Sequence, residues 1–141
     1  MITYFDTSTL IKLIIEETGS TEASAIWDQA SSPVSARITY VEARAALAVA
    51  KRGRRITSAQ HRVAITDLDM LWTQVAIVEV TSEVVEAAVK LADDHGLLGY
   101  DAVHLGSAVI AGAELFTSAD RQLCDAALGV GLHVANPIER E

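Results

Sequence analysis

The chain holds 141 residues, half of them hydrophobic, and carries a formal net charge of −8. This length is typical of one domain that buries its own core, so we expect a single domain over residues 1–141, and the acidic charge argues against a protein that holds nucleic acid by bulk electrostatic attraction. With no apolar run of about 18 residues and no signal-peptide pattern at the start, we expect no membrane span and a cytoplasmic location.

The first half of the chain alternates apolar runs with helical patterns. A strand is predicted over 2–6, a half-buried helix over 8–16 that Gly19 and Ser20 follow, and a helix over 21–30. A short strand over 33–36 leads into an Ala-rich helix over 41–51, for which Gly53 supplies the stop.

The second half repeats this alternation. Helices are predicted over 58–71, over 83–95 with Ser82 as the cap, over 102–111 opened by Asp101, and over 120–127; strands are predicted over 75–80, 114–117 and 133–135. Residues 106–108 are small enough for close helix packing. Strands that alternate with helices predict an α/β fold, with a small parallel sheet of about five strands covered on both faces.

Two side-chain groups outside this pattern have ordinary interpretations beside functional ones. Cys124 is the single cysteine, and we expect it to be a buried thiol in a reducing cytosol. Four cations crowd around Gly53, where a helix ends, which favours either simple stabilisation of the helix end or a patch that contacts phosphate; they are Lys51, Arg52, Arg54 and Arg55.

Four carboxylates sit where the chain turns from strand into helix: Asp6, Glu42, Asp101 and Asp120. The carboxyl ends of parallel strands meet at one edge of a sheet, where α/β proteins bind their ligands. Carboxylates gathered there repel one another unless a cation joins them. The arrangement therefore suggests a hard divalent metal such as Mg²⁺.

Each acid also has an interpretation as a helix cap. Thr39 and Glu42 match the spacing of a capping box, and the three aspartates are favoured N-cap residues. Hydroxyl groups near the acids, on Ser8, Thr117 and Ser118, can bond to a carboxylate, to a metal-bound water or to a helix end.

Taken in order, four segments of the chain resemble the PIN-domain nucleases, and among them the VapC-type toxins of toxin–antitoxin pairs. The segments are Tyr4–Lys12, Tyr40–Glu42, Gly99–Leu105 and Phe116–Arg121. The resemblance covers nearly the whole chain. It implies a three-layer α/β/α PIN-like fold over 1–141 in which Asp6, Glu42, Asp101 and Asp120 are the catalytic, metal-binding residues, supported by Ser8 and Thr117.

The resemblance leaves some residues undecided. Family members often carry a further acid three residues after the fourth, where this chain has Leu123, and Asp125 lies two residues beyond. His104, on nearly the same helix face as Asp101, is either a core or rim histidine or a ligand or proton shuttle. Arg121 is placed either to contact phosphate or simply to be solvated at a helix start.

The function implied is a Mg²⁺-dependent endoribonuclease, with Mn²⁺ as a possible substitute, that hydrolyses RNA without a covalent enzyme intermediate. The resemblance further implies a toxin that inhibits translation, a homodimer and a cognate antitoxin. The apolar faces of residues 10–15 and 45–49 are candidate docking surfaces. The alternative is a catalytically silent PIN-like module that binds RNA or protein.

Two other enzyme or signalling classes fit the residues less well. A haloacid dehalogenase-type phosphatase with Asp6 as nucleophile needs a second Asp two residues later, where Ser8 stands. A receiver domain places paired acids early in the chain, and Asp6 has no acidic neighbour.

Overall fold

The computed structural model describes residues 1–139, and its centre is a five-stranded sheet in which every pairing is parallel. The strands are β1 (Ile2–Phe5), β2 (Ser32–Ala36), β3 (Ala76–Val78), β4 (Leu115–Thr117) and β5 (His133–Ala135). Their order across the sheet is β3-β2-β1-β4-β5. The predicted α/β class and strand number are confirmed.

Helices cover both faces of the sheet. They are α1 (Thr7–Leu10), continued by a 3-10 turn (Ile11–Leu13), then α2 (Ser20–Gln29), α3 (Arg37–Arg52), α4 (Ser58–Trp72), α5 (Ser82–His95), α6 (Gly99–Ile110) and α7 (Arg121–Gly129). No helix within the described residues is long and apolar enough to cross a membrane.

The alternation of β1 divides the core into two layers. Successive side chains of a strand point to opposite faces. Tyr4 packs into a cluster with Leu105 and Phe116, whereas Phe5 packs into a second cluster with Leu10 and Leu47. Because both strand residues are fully buried, the central strand is covered on each side, as the three-layer prediction requires.

The strand order contains one switch point, between β1 and β4. The chain runs from β1 outward through β2 to β3, and then returns to build β4 and β5 on the other side of β1. Phe5 is in register with Thr117, and the Asp6 N–H donates to the Thr117 carbonyl at 3.0 Å. The next residues of both strands therefore emerge side by side at the edge where α/β proteins bind ligands.

Helix α6 packs closely on α5 because residue 106 is a glycine. A Cβ at Gly106 would lie 3.2 Å from the backbone nitrogen of Ala88 and 3.2 Å from the carbonyl oxygen of Val84. The expectation of close packing by small residues is thereby confirmed. This contact fixes α6, which carries Asp101 and His104 toward the edge of the sheet.

Several predicted boundaries were wrong. The helix predicted over 8–16 ends as a 3-10 turn at Leu13, before the β-branched pair at 14 and 15. The helices predicted from 41 and 102 begin earlier, at Arg37 and Gly99, and the strand predicted over 75–80 is restricted to 76–78. The cap of α5 is Thr81 rather than Ser82, since its side chain accepts from the Val84 N–H at 3.3 Å.

Candidate metal centre

Asp6 is a buried carboxylate at the end of β1, held by two serine hydroxyls. Its Oδ2 atom accepts from Ser8 Oγ at 2.7 Å and from Ser118 Oγ at 2.8 Å. Ser8 comes from the first turn of α1, and Ser118 directly follows β4. The carboxylate is therefore fixed from both sides of the switch point, while Oδ1 lies 3.5 Å from Nε2 of His104.

The loop after β4 ties Asp120 to the same place. Ser118 Oγ accepts from the Asp120 N–H at 3.0 Å, and Ser8 Oγ accepts from the Ala119 N–H at 2.9 Å. Asp120 in turn caps α7, because its Oδ1 accepts from the Leu123 N–H at 3.1 Å. The capping interpretation of Asp120 is confirmed, and its other oxygen is exposed toward solvent.

Glu42 reaches the edge from the second turn of α3. Its Oε1 atom accepts from Thr7 Oγ1 at 2.7 Å and lies 2.5 Å from Nε2 of His104. The predicted capping box is wrong: α3 begins at Arg37, so Thr39 lies inside the helix and bonds to Ser35 instead. Glu42 is thus free of any capping role and points out of its helix.

Asp101 lies inside the first turn of α6 and caps nothing, since that helix begins at Gly99 after Leu98. Its half-buried carboxylate forms no hydrogen bond or ion pair with residues 1–139. Burial raises the pKa of Asp101, and the charges of Asp120, Asp6 and Glu42 raise it further, against an opposing effect of His104. Acids from four separate elements are therefore close enough to repel one another.

His104 sits among these acids and has both ring nitrogens engaged. Its Nε2 lies 3.5 Å from Oδ1 of Asp6 as well as 2.5 Å from Glu42, while Nδ1 lies 2.7 Å from the Tyr4 hydroxyl. Since only 1% of the histidine is exposed, it is a core residue that also contacts the acidic group.

The histidine and Glu42 shift each other's titration. Burial works to lower the pKa of His104, but the hydrogen bond to Glu42 and the charge of Asp6 outweigh it, so that pKa is raised. Burial works to raise the pKa of Glu42, but the bond and charge of His104, with the Thr7 hydroxyl, bring the pKa below its usual value. Both shifts favour the imidazolium and the carboxylate forms of the pair.

The donor set suits a hard cation that retains water. No three His, Cys, Asp or Glu side chains among residues 1–139 are arranged so that they could hold a metal ion by themselves. Mg²⁺, however, keeps several waters and needs few protein ligands. Free carboxylate oxygens are present on Asp6, Glu42, Asp101 and Asp120, and the raised pKa of Asp101 shows negative charge that a cation would offset.

Other candidate residues lie elsewhere. The Thr117 hydroxyl, expected to support the site, bonds to Thr9 at 3.0 Å within the core, and Ser118 makes the contact with Asp6. Arg121 is 80% exposed and lies 3.6 Å from Glu139. Asp125 is exposed on α7, and no hydrogen bond or ion pair joins it to the acids.

Cys124 is buried as expected, and its Sγ donates to the Ser118 carbonyl at 3.3 Å. Burial, with the charge of Asp6, raises the pKa of the thiol to about 12. The cysteine therefore packs beneath the acidic loop as an unreactive thiol.

Sequence reasoning missed two participants, Thr7 and Tyr4. Thr7 follows Asp6 directly and was visible as a polar residue, but its partner Glu42 is 35 residues away. The pattern indicates only an apolar strand residue at Tyr4, because His104, the partner of its hydroxyl, lies one hundred positions away in the sequence. Only the three-residue offset between Asp101 and His104 hinted at a shared face.

Comparison with known proteins adds a family and close relatives. Residues 3–128 match the family model described as the PIN domain. The chain is 41% identical over 136 residues to Ribonuclease VapC45 of Mycobacterium tuberculosis (strain CDC 1551 / Oshkosh), which is 95% of this chain and 94% of that protein. The same figures hold for Ribonuclease VapC49 of Mycobacterium tuberculosis (strain ATCC 25618 / H37Rv).

Among solved structures, a toxin–antitoxin complex from Klebsiella pneumoniae contains a similar chain. The TM-score is 0.68 at 20% identity, over 98% of this chain and 99% of that one. At this level of identity the likeness supports the fold alone.

Proposed function

The chain belongs to the PIN-domain family, and from this premise we propose that it is a metal-dependent endoribonuclease that hydrolyses RNA phosphodiester bonds. In the cell it would act as a cytoplasmic toxin that inhibits translation and is neutralised by a cognate antitoxin. The observation that carries the proposal is the meeting of four acids from separate elements at one sheet edge, where burial and the charges of the other acids raise the pKa of Asp101. The names of the relatives at 41% identity favour RNA as the substrate.

Metal dependence is a general property of PIN-domain nucleases, and we propose Mg²⁺ as the ion here, with Mn²⁺ able to substitute. Asp6, Glu42, Asp101 and Asp120 would hold it. Such an ion, when bound, lowers the pKa of a water, polarises phosphoryl oxygens and orients an in-line attack.

The side chains have separate tasks in this scheme. Ser8 and Ser118 hold one oxygen of Asp6, which leaves the other available to the ion. Asp101 has no hydrogen-bond partner in the described part of the chain, so both of its carboxylate oxygens are available to the ion.

The positive charge that RNA would contact lies at the C-terminal end of α3. All four cations of the basic cluster, Lys51, Arg52, Arg54 and Arg55, are exposed, and none forms an ion pair with residues 1–139. Nine residues of helix separate Glu42 from Lys51, a rise of about 14 Å. The cluster is therefore placed to contact phosphates next to the scissile one.

The antitoxin would occupy an apolar groove beside α4. The groove encloses about 580 Å³ and is lined by residues that include Ile14, Ile15, Ile56 and Val63. Ile14 and Ile15 belong to the predicted docking face, whereas Leu10 and Ile11 of that face are buried in the core. The second predicted docking face, residues 45–49, is likewise only partly exposed, since Val49 is 53% exposed and Leu47 is buried.

A second copy of the chain would contact the apolar rim of the groove between α5 and α6, a groove that Glu42 and Asp101 also line. This groove encloses about 720 Å³, and Val89, Leu98 and Tyr100 on its rim are 57%, 76% and 69% exposed. Exposed apolar side chains gathered at one groove favour a protein–protein contact there. Leu98→Glu should convert a dimer to a monomer in light scattering, whereas Leu128→Glu, on an exposed residue of α7, should not.

The decisive assay incubates purified protein with structured RNA in Mg²⁺ or Mn²⁺. Wild type should cleave, EDTA should abolish cleavage, and Asp6→Asn and Asp101→Asn should each lose at least about 100-fold in rate, within the several kcal/mol that metal catalysis contributes. Asp94→Asn, an exposed acid of α5, is the matched control and should cleave normally. Cleavage that survives both site substitutions or EDTA would refute the assignment, and RNA binding without cleavage by wild type would favour the silent module.

A further inference from the structure

A buried polar chain connects the hydrophobic core to the acidic edge of the sheet. It runs from the Tyr4 hydroxyl to Nδ1 of His104 at 2.7 Å, and from Nε2 to Glu42 Oε1 at 2.5 Å. Tyr4 and His104 are 0% and 1% exposed, whereas the Glu42 side chain is 31% exposed. The chain thus begins in the core and ends at a carboxylate that solvent reaches.

The core holds Tyr4 in a single orientation. Its ring stacks on Phe116 at a centroid distance of 5.3 Å and an interplanar angle of 1°, and it meets the His104 ring edge-on at 5.9 Å. Its hydroxyl accepts from the Ala36 N–H at 3.2 Å. Because packing and backbone both fix this hydroxyl, it fixes the rotation of the imidazole in turn.

The imidazole then determines where Glu42 points. An ionised carboxylate only accepts hydrogen bonds, so Nε2 is the donor to Oε1. Thr7 donates to the same oxygen, and Oε2 has no hydrogen-bond partner among the described residues. Nε2 also lies 3.5 Å from Oδ1 of Asp6. Nε2 of His104 therefore contacts two acids, Asp6 and Glu42, that come from different elements of the fold.

Simple packing does not require this arrangement. A histidine kept for its volume alone has no need of two partners, and an apolar side chain would fill the same space without the cost of burying polar groups. The partners of metal-binding residues commonly work by fixing the orientation of the ligand.

We propose that His104, fixed by Tyr4, is a positioning residue that presents the free oxygen of Glu42 to the metal. The inference rests on the proposed function, because it assumes that the acids bind a divalent ion. His104 itself contacts no metal in this scheme and acts through Glu42.

The test measures Mn²⁺ binding by calorimetry on the full chain without RNA, beside a circular dichroism spectrum and melting curve for each variant. Tyr4→Phe and His104→Leu should weaken Mn²⁺ binding about 10-fold or more, the range found when such partners of metal ligands are removed. His104→Gln, which keeps an N–H near the position of Nε2, should restore most of the affinity. Ser107→Ala, a fully buried serine without a partner one turn along α6, is the control and should bind as wild type.

A double-mutant cycle separates positioning from general loosening of the fold. In a Glu42→Gln background, Tyr4→Phe should have almost no further effect on Mn²⁺ affinity, because the residue through which it acts has lost its charge. An equal loss in both backgrounds would show that Tyr4 acts on overall packing, and would overturn the proposal. If His104→Leu fails to fold, Tyr4→Phe and His104→Gln still carry the cycle.

The proposal and the function on which it rests fail differently. Wild-type Mn²⁺ affinity in both Tyr4→Phe and His104→Leu, with RNA cleavage intact in wild type, would refute the positioning role alone. Weakened binding in the variants, without RNA cleavage by wild type, would retain the positioning role and refute the substrate. No Mn²⁺ binding by wild type would refute both.

Discussion

Two buried serines allow the acidic loop to be tested by the same chemical change at two places. Ser118 and Ser107 are both 0% exposed. Ser118 donates to Asp6 and accepts from the Asp120 N–H, whereas the Ser107 hydroxyl has no partner among residues 1–139. Ser118→Ala therefore removes these two hydrogen bonds and a weaker 3.3 Å bond with the Ser8 hydroxyl, whereas Ser107→Ala removes none.

The structure gives the size of the expected difference. A hydrogen bond to a charged group contributes about 1.5–3 kcal/mol, and a buried donor left unsatisfied costs about 1–3 kcal/mol. Since Ser8 still donates to Asp6 and the Asp120 N–H is partly buried, the lower ends apply, and we expect Ser118→Ala to lose about 2.5 kcal/mol. Ser107→Ala should be neutral or up to about 1 kcal/mol more stable.

Thermal melting in EDTA measures the difference directly. For a chain of this length about 4 °C corresponds to 1 kcal/mol, so Ser118→Ala should melt about 10 °C below wild type. Urea unfolding should give the same order of variants with unchanged slopes. If the two alanine variants melt together, the hydroxyl of Ser118 does not hold the acids and the assigned hydrogen bonds are wrong.

Three further outcomes follow from the titration behaviour of the site and its surroundings. Asp101→Asn should raise the melting temperature in EDTA, because the other acids repel the carboxylate that the substitution removes. The variant should also lose the stabilisation that Mg²⁺ gives wild type. A lower melting temperature in EDTA would contradict the repulsion. In EDTA the Glu42–His104 pair contributes its full stabilisation between pH 4.5 and pH 6.5, the usual pKa values of the two groups. This stabilisation is lost as the pH falls through the lowered pKa of Glu42, and also as the pH rises through the raised pKa of His104. A melting temperature that climbs steadily from pH 6 to pH 9 would contradict that sign. Cys124 should resist a thiol reagent at pH 8 in the folded protein and react on unfolding, since its pKa is about 12.

The elements were predictable where local pattern and tertiary structure agree. Strand β1 and the Asp6 that follows it could be predicted from five residues, because a short apolar run followed by a helix cap is typical of few structures other than a strand. The starts of α3 and α6 could not be read. The residues before them, Ala36 and Leu98, form no side-chain cap, so the nearest polar residues downstream were mistaken for the helix starts.

The convergence of the four acids at one edge of the sheet was predictable, but the contacts that hold them were not. Asp6 and Asp120 follow strands, and parallel strands bring their ends together whatever the details of packing. The choice of Ser118 over Thr117 as the partner of Asp6 depends on which face of β4 each residue occupies, and one position reverses the face. Such a difference depends on three-dimensional register, which a single sequence does not contain.

The central strand explains why the core and the site are physically one structure. Tyr4 faces one layer, Phe5 faces the other and Asp6 ends the strand at the switch point, so three consecutive residues serve both helical layers and the acidic edge. A tyrosine and a histidine in a core cost stability that apolar residues would not, and a polar network there gains little unless every member is satisfied. Here both are satisfied, and the last member of the network is Glu42, a group that solvent can reach. The burial of Tyr4 and His104 therefore lowers stability in the core, and its benefit is the orientation of a carboxylate at the edge of the sheet.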